Sequence, residues 1–142
     1  MSNENLETLR LLTHELPPVP IDPGDGERGF YRYPTKDGIG TVIGWKLLAK
    51  DGIAVAHFFM SEGADYPEHG HEDSKEFILV YSGALEVRSD DPLACVHFKD
   101  KTAVVRSGGC VCFEKQQVHS AKALEDTWFV AVTIPRDEAY PK

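Results

Sequence analysis

The chain has 142 residues, of which 42% are hydrophobic and 27% charged, the balance of one globular domain with its own core. Lys and Arg number 15 against 23 Asp and Glu, a formal charge of −8, which repels phosphate backbones and disfavours nucleic acid as a partner. No apolar run approaches the roughly 18 residues that a bilayer crossing needs. The first residues, Met1 to Glu7, are acidic and polar where a secretory signal needs positive charge, so the expected location is the cytoplasm, with no membrane partner.

Residues 3–14 are expected to form a short helix. Leu6, Leu9 and Thr13 fall at helical spacing with Leu12 and Leu16 nearby, and Ser2 or Asn3 can cap its start. Pro17, Pro18, Pro20 and Pro23 then enforce an extended arm. The expected organisation is a helix and Pro-rich arm over 1–28 and a β-barrel domain over 29–142.

From Gly29 the chain reads as short strands: 29–33, 41–48, 53–60, 76–82, 84–89, 94–99, 102–106, 110–113, 119–123 and 127–134. Turn residues break them at Lys36-Asp37-Gly38, Lys50-Asp51-Gly52, Gly83, Asp90-Asp91-Pro92 and Gly108-Gly109. Strands at this spacing specify an all-β sandwich or barrel. Several are apolar on both faces; in residues 53–60 only His57 is polar. Such a sheet has one face in the core and the other covered, by the arm or by a second subunit, so a homodimer is expected.

Cys95, Cys110 and Cys112 are an odd number in a chain with no signal, which argues against a disulfide scaffold. Cys110 and Cys112 share one strand face and read as small buried hydrophobes.

Three of the six histidines carry the chemistry. His69-Gly70-His71 places two imidazoles on one side of an extended chain. Glu76 shares its strand face with Ile78 and Val80, so it points inward if they do. A buried carboxylate is costly unless it is paired or bound to a metal. Two imidazoles and a carboxylate converging on one point suit a divalent transition metal: Fe, Mn, Ni, Cu or Zn. The competing reading of the same residues is a solvated polar loop.

The run Gly63, His69, His71, Glu76, Gly83 resembles the first sequence motif of the cupin family in every position. Gly108, Glu114, Gln116 and His119 stand at the Gly, Pro, Gly and His of the second motif, with Glu114 replacing the usual Pro and Gln116 the usual Gly. Ala123 stands where Asn is frequent. The resemblance spans about residues 40–134. It implies a double-stranded β-helix, the cupin jelly-roll barrel, with His69, His71, Glu76 and His119 holding one divalent transition metal. Four protein ligands would leave one or two positions of an octahedral ion open to a small molecule.

The remaining candidates are weaker. His57 lines the pocket if the face of Ile53, Val55 and Phe59 is the inward one, and is otherwise a core histidine. His97 is expected to be exposed, and His14 ends the helix. Trp45, Tyr66, Phe113 and Trp128 read mainly as core; Tyr66 leads directly into the ligand pair and is the best candidate for ligand contact. Ile78, Val80, Leu85 and Val87 are expected as apolar walls. Lys46, Arg88 and Arg106 alternate with apolar residues and are expected to point outward, which leaves no cation for an anionic substrate. No separate catalytic acid or base stands out. The resemblance therefore implies a metal-dependent enzyme, dioxygenase-like or an isomerase or lyase, acting on a small organic molecule. The alternative is a non-catalytic metal or small-ligand binding domain.

Overall fold

The computed structural model describes residues 30–90 and 101–135. The expected helix over 3–14, the arm, and the strand over 94–99 with Cys95 and His97 lie outside the described residues. Ten strands follow in order: β1 Phe30–Tyr33, β2 Val42–Lys50, β3 Ile53–Met60, β4 Asp65–His69, β5 Lys75–Ser82, β6 Ala84–Ser89, β7 Thr102–Arg106, β8 Cys110–Phe113, β9 His119–Ala123 and β10 Thr127–Ile134. The described part is all strand and turn. No helix in it is long and apolar enough to cross a membrane.

The strands form two antiparallel sheets, one in the order β1-β2-β3-β10-β5-β8 and the other in the order β4-β9-β6-β7. Period-two patterning decides which side chains meet between them. In β7, Ala103 and Val105 are buried while Thr102, Val104 and Arg106 are exposed. Phe58 and Met60 from β3, Val80 from β5, Leu85 and Val87 from β6 and Val111 from β8 form the shared core, each no more than 1% exposed. Burying a side chain of this size contributes about 1.5–3 kcal/mol.

The six-stranded sheet is apolar on its other face too. Ile43, Phe59 and Trp128 lie in one cross-strand row there and form a separate buried cluster. His57 sits on this outer face with Trp128 and Tyr81, its ring 5.4 Å from each, and its Nε2 is hydrogen-bonded to the Tyr81 hydroxyl. His57 is thus a buried residue of the outer face and does not line the pocket. Burial lowers its pKa to about 4.

One strand, β4, has no counterpart among the expected ones. Its sequence, Asp65-Tyr66-Pro67-Glu68-His69, carries a proline, two acids and a histidine and lacks a strand signal. Pairing with β9 holds it in place. Between β5 and β6 the chain turns at Gly83, where φ is +95° and a Cβ would lie 2.4 Å from the Asp126 carbonyl oxygen. Only glycine fits there.

Candidate metal centre

The side chains of His69, His71, Glu76 and His119 converge at one end of the space between the sheets. One ligand atom from each falls within 4.8 Å of all the others. Glu76 comes from β5 and is 1% exposed, with Phe113 and Thr133 as its cross-strand neighbours. His119 opens β9 directly opposite His69, the last residue of β4. His71 and His119 are buried and His69 is half-buried.

Local backbone fixes the rings. The Nδ1 of His69 is 3.0 Å from the Pro67 carbonyl oxygen, and the Nδ1 of His119 is 2.9 Å from that of Gln117. A carbonyl only accepts, so each Nδ1 carries the proton and donates, which leaves Nε2 of the neutral ring with a lone pair. The Nε2 of His119 nevertheless lies 2.9 Å from Oε1 of Glu76, and the Nε2 of His71 lies 3.2 Å from Oε2. In His119, then, a lone pair would face a carboxylate oxygen at contact distance, and only a proton or a cation between them resolves that. Metal–nitrogen and metal–oxygen bonds of about 2.0–2.2 Å put ligand atoms of one shell roughly 3–4.4 Å apart, close to the spread found here. The donor set, three imidazoles and one carboxylate, is the type that transition ions take. The residues present therefore fit a metal.

When a proton fills the place between His119 and Glu76, burial alone would push the Glu76 carboxyl up, but hydrogen bonds from His119 and His71 outweigh it and hold the group well below the usual carboxylate range. Burial, and then the charge of His119, lowers the His69 pKa to about 4. At neutral pH the cluster thus carries a carboxylate and a neutral His69, the forms that bind a cation.

A small cavity of about 20 Å³ adjoins the cluster and is lined by His69, Glu76 and His119. Its other walls are Phe58, Met60, Ile78, Phe113, Ala121, Phe129 and Tyr66. Phe113 lies flat on the His119 ring, with centroids 3.7 Å apart. Tyr66 presents its ring to the edge of His69 at 4.8 Å. Burial, then the Glu76 charge, raises its phenol pKa to about 12, so it is a neutral donor at physiological pH.

Ten antiparallel strands in two facing sheets, with three histidines and a glutamate at one end, can be set beside solved structures. The chain superposes on KdgF from Halomonas sp. with a TM-score of 0.60 and 19% identity, over 69% of this chain and 83% of that one. It superposes on an RmlC-like cupin from Shewanella frigidimarina with a TM-score of 0.59 and 15% identity, over 70% and 80%. The fold is that of a cupin. A third such likeness is to ectoine synthase from P. lautus, with a TM-score of 0.59, 13% identity, and coverage of 78% and 72%. No family model matches the sequence, and no curated protein matches it.

The cupin barrel brings together all four residues that the sequence singled out. It redistributes the others. Tyr66, Phe113 and Ile78 line the cavity as expected, but Val80, Leu85 and Val87 belong to the core without reaching it, and Trp128 lies on the opposite face of the sheet. Phe58, Met60 and Phe129 are cavity walls that strand patterning alone did not single out from other core positions. Arg88 turns away from the cavity and pairs with Asp65 at 2.5 Å, and Arg106 is exposed. Cys110 is half-buried and Cys112 is buried.

Proposed function

We propose that this cupin binds one divalent transition metal through His69, His71, Glu76 and His119 and works as a metal-dependent enzyme on a small, largely uncharged organic molecule. The observation that carries the reading is the convergence of three imidazoles and a buried carboxylate, one ligand atom from each lying within 4.8 Å of all the others. A bound divalent ion supplies Lewis acidity at its open positions and, if it is iron, copper or nickel, access to dioxygen chemistry. The residues of the chain do the rest. Backbone carbonyls of Pro67 and Gln117 hold two ligand rings in one tautomer. Phe58, Phe113, Phe129 and Met60 exclude water and offer an apolar seat. Among the described residues, no Lys or Arg lines this cavity, which disfavours a strongly anionic substrate.

Elemental analysis of protein purified without added metal tests the centre. Near-stoichiometric metal is expected in the wild type and a loss of at least about tenfold in His71→Ala and His119→Ala. Full occupancy in both variants would remove the tetrad. Loading with Fe(II) and following dioxygen uptake with small diols, ketones and phenols tests the enzyme.

One observation favours a second reading, a binding domain without turnover. Apart from the ligands themselves, the described cavity wall holds no carboxylate or imidazole to act as acid or base. Saturable binding of those compounds without consumption, whichever metal is loaded, is the result that selects it.

A further inference from the structure

We infer that Tyr66 is the substrate-positioning residue of this cavity: its hydroxyl donates a hydrogen bond to an oxygen of the bound molecule, selecting ligands that carry an accepting oxygen beside their metal-binding atom. This rests on the metal-binding reading above.

Strand irregularity is the origin of the placement. Tyr66 pairs with Ala121 and His69 with His119, so three steps along β4 match two along β9. One extra residue in β4, within Pro67–Glu68, forms a bulge. Without it, residues 66 and 69 would face opposite sides of the sheet. With it, both line the cavity.

Chemistry narrows the role. With the three ligands set aside, the described wall is Phe58, Met60, Ile78, Phe113, Ala121, Phe129 and Tyr66. Only the phenol among these can donate a hydrogen bond. Its ring is held by the edge of His69 at 4.8 Å and by Tyr33 at 5.7 Å. The hydroxyl makes no hydrogen bond to any described residue. A donor with no acceptor among the described residues, in an apolar cavity beside a metal-binding cluster, is available to a ligand that displaces water from it. If Tyr66 served packing alone, phenylalanine would serve as well.

Cobalt(II) absorption of the loaded protein reads the test, with acetate and ethanethiolate as probes. Acetate binds a metal through one oxygen and offers a second as acceptor; ethanethiolate offers only its sulfur. In Tyr66→Phe, which keeps the ring, cobalt affinity should be unchanged. Acetate should bind about tenfold more weakly and ethanethiolate within about twofold of wild type. Equal acetate affinity in the two proteins, no acetate binding to either, or equal weakening of both probes overturns the role of Tyr66 and leaves the metal centre standing. Failure of wild-type protein to bind cobalt overturns the metal reading, and the inference with it.

Discussion

Gln117 ties the candidate metal centre to the turn that precedes it. Its side-chain oxygen accepts from the Glu114 backbone N–H at 2.9 Å, its amide nitrogen donates to Ser89 Oγ at 2.8 Å, and its carbonyl accepts from His119 Nδ1. One residue thus shapes the loop and fixes the ring of a candidate ligand. Gln117→Leu should leave the barrel folded and weaken metal affinity by about tenfold or more, read by competition with a chelator. Its neighbour Gln116 carries a different burden. It stands where the second motif has glycine, and its φ is +64°, the left-handed region that costs a residue with a Cβ about 1–2 kcal/mol. Glycine relieves that strain but loses more entropy on folding, by about 0.5–1 kcal/mol. Gln116→Gly should therefore stabilise the protein by about 0.5–1 kcal/mol, measured by urea unfolding, and a loss of stability would show that the Gln116 side chain contributes more than its backbone costs.

At the scale of elements, turns and bulges matter more than strand propensity. Gly83→Ala would place a methyl group 2.4 Å from the Asp126 carbonyl oxygen and 2.5 Å from Thr127 Oγ1 in the tight turn between β5 and β6. A loss of about 3 kcal/mol or more is expected, seen as a lowered thermal midpoint. The strands themselves were largely legible. In β6, Leu85 and Val87 alternate with Glu86 and Arg88, which reveals both the element and its inward face, whereas β5 is apolar throughout Phe77–Tyr81 and Glu76 reads as inward only on the condition that Ile78 and Val80 are. Residue type and spacing singled out His69, His71 and Glu76 of the candidate cluster, whereas His119 entered only through the resemblance to the second cupin motif. β4 was not legible, because its sequence is polar and its strand state comes from pairing with β9. Nor was the side of His57. β3 is apolar on both faces, so alternation separates two sets of residues without telling which set is inside.

For the whole molecule, proton binding and the proposed metal binding act on the same folded state. The folded-state pKa values of His57 and His69 lie near 4, below the ordinary histidine value of 6.5. Below pH 6.5 the unfolded chain takes up protons that the folded one refuses. Stability of chelator-treated protein should therefore be highest above pH 6.5, fall as pH drops toward 4, and level off with respect to these groups below that. For His57, 6% exposed, the full effect is on the order of 3 kcal/mol. Urea unfolding from pH 7.5 to 4.5 should show a shallower slope in His57→Gln than in wild type; identical slopes would mean that His57 titrates alike in both states. Glu76, held below the ordinary carboxylate range, contributes stability that is present above about pH 4.5 and lost only in stronger acid. Metal works in the opposite direction to acid. At a free concentration 100 times its dissociation constant it should add about 2.7 kcal/mol, roughly 5–10 °C in melting temperature, and chelation should reverse the gain.

The four donors do not belong to one sheet. Glu76 stands on the six-stranded sheet, while His69 and His119 stand on the four-stranded one. An ion gripping all of them is a rivet through both layers, closing a ring of chain between positions 76 and 119, which are 43 residues apart. Chain-entropy arithmetic for a covalent tie of that span gives about 4 kcal/mol against the unfolded state. The layers cannot splay at that end while the rivet holds. Departure of the ion then waits on separation of the sheets, so its release into excess chelator should proceed at a rate set by the barrel and indifferent to how much chelator is added.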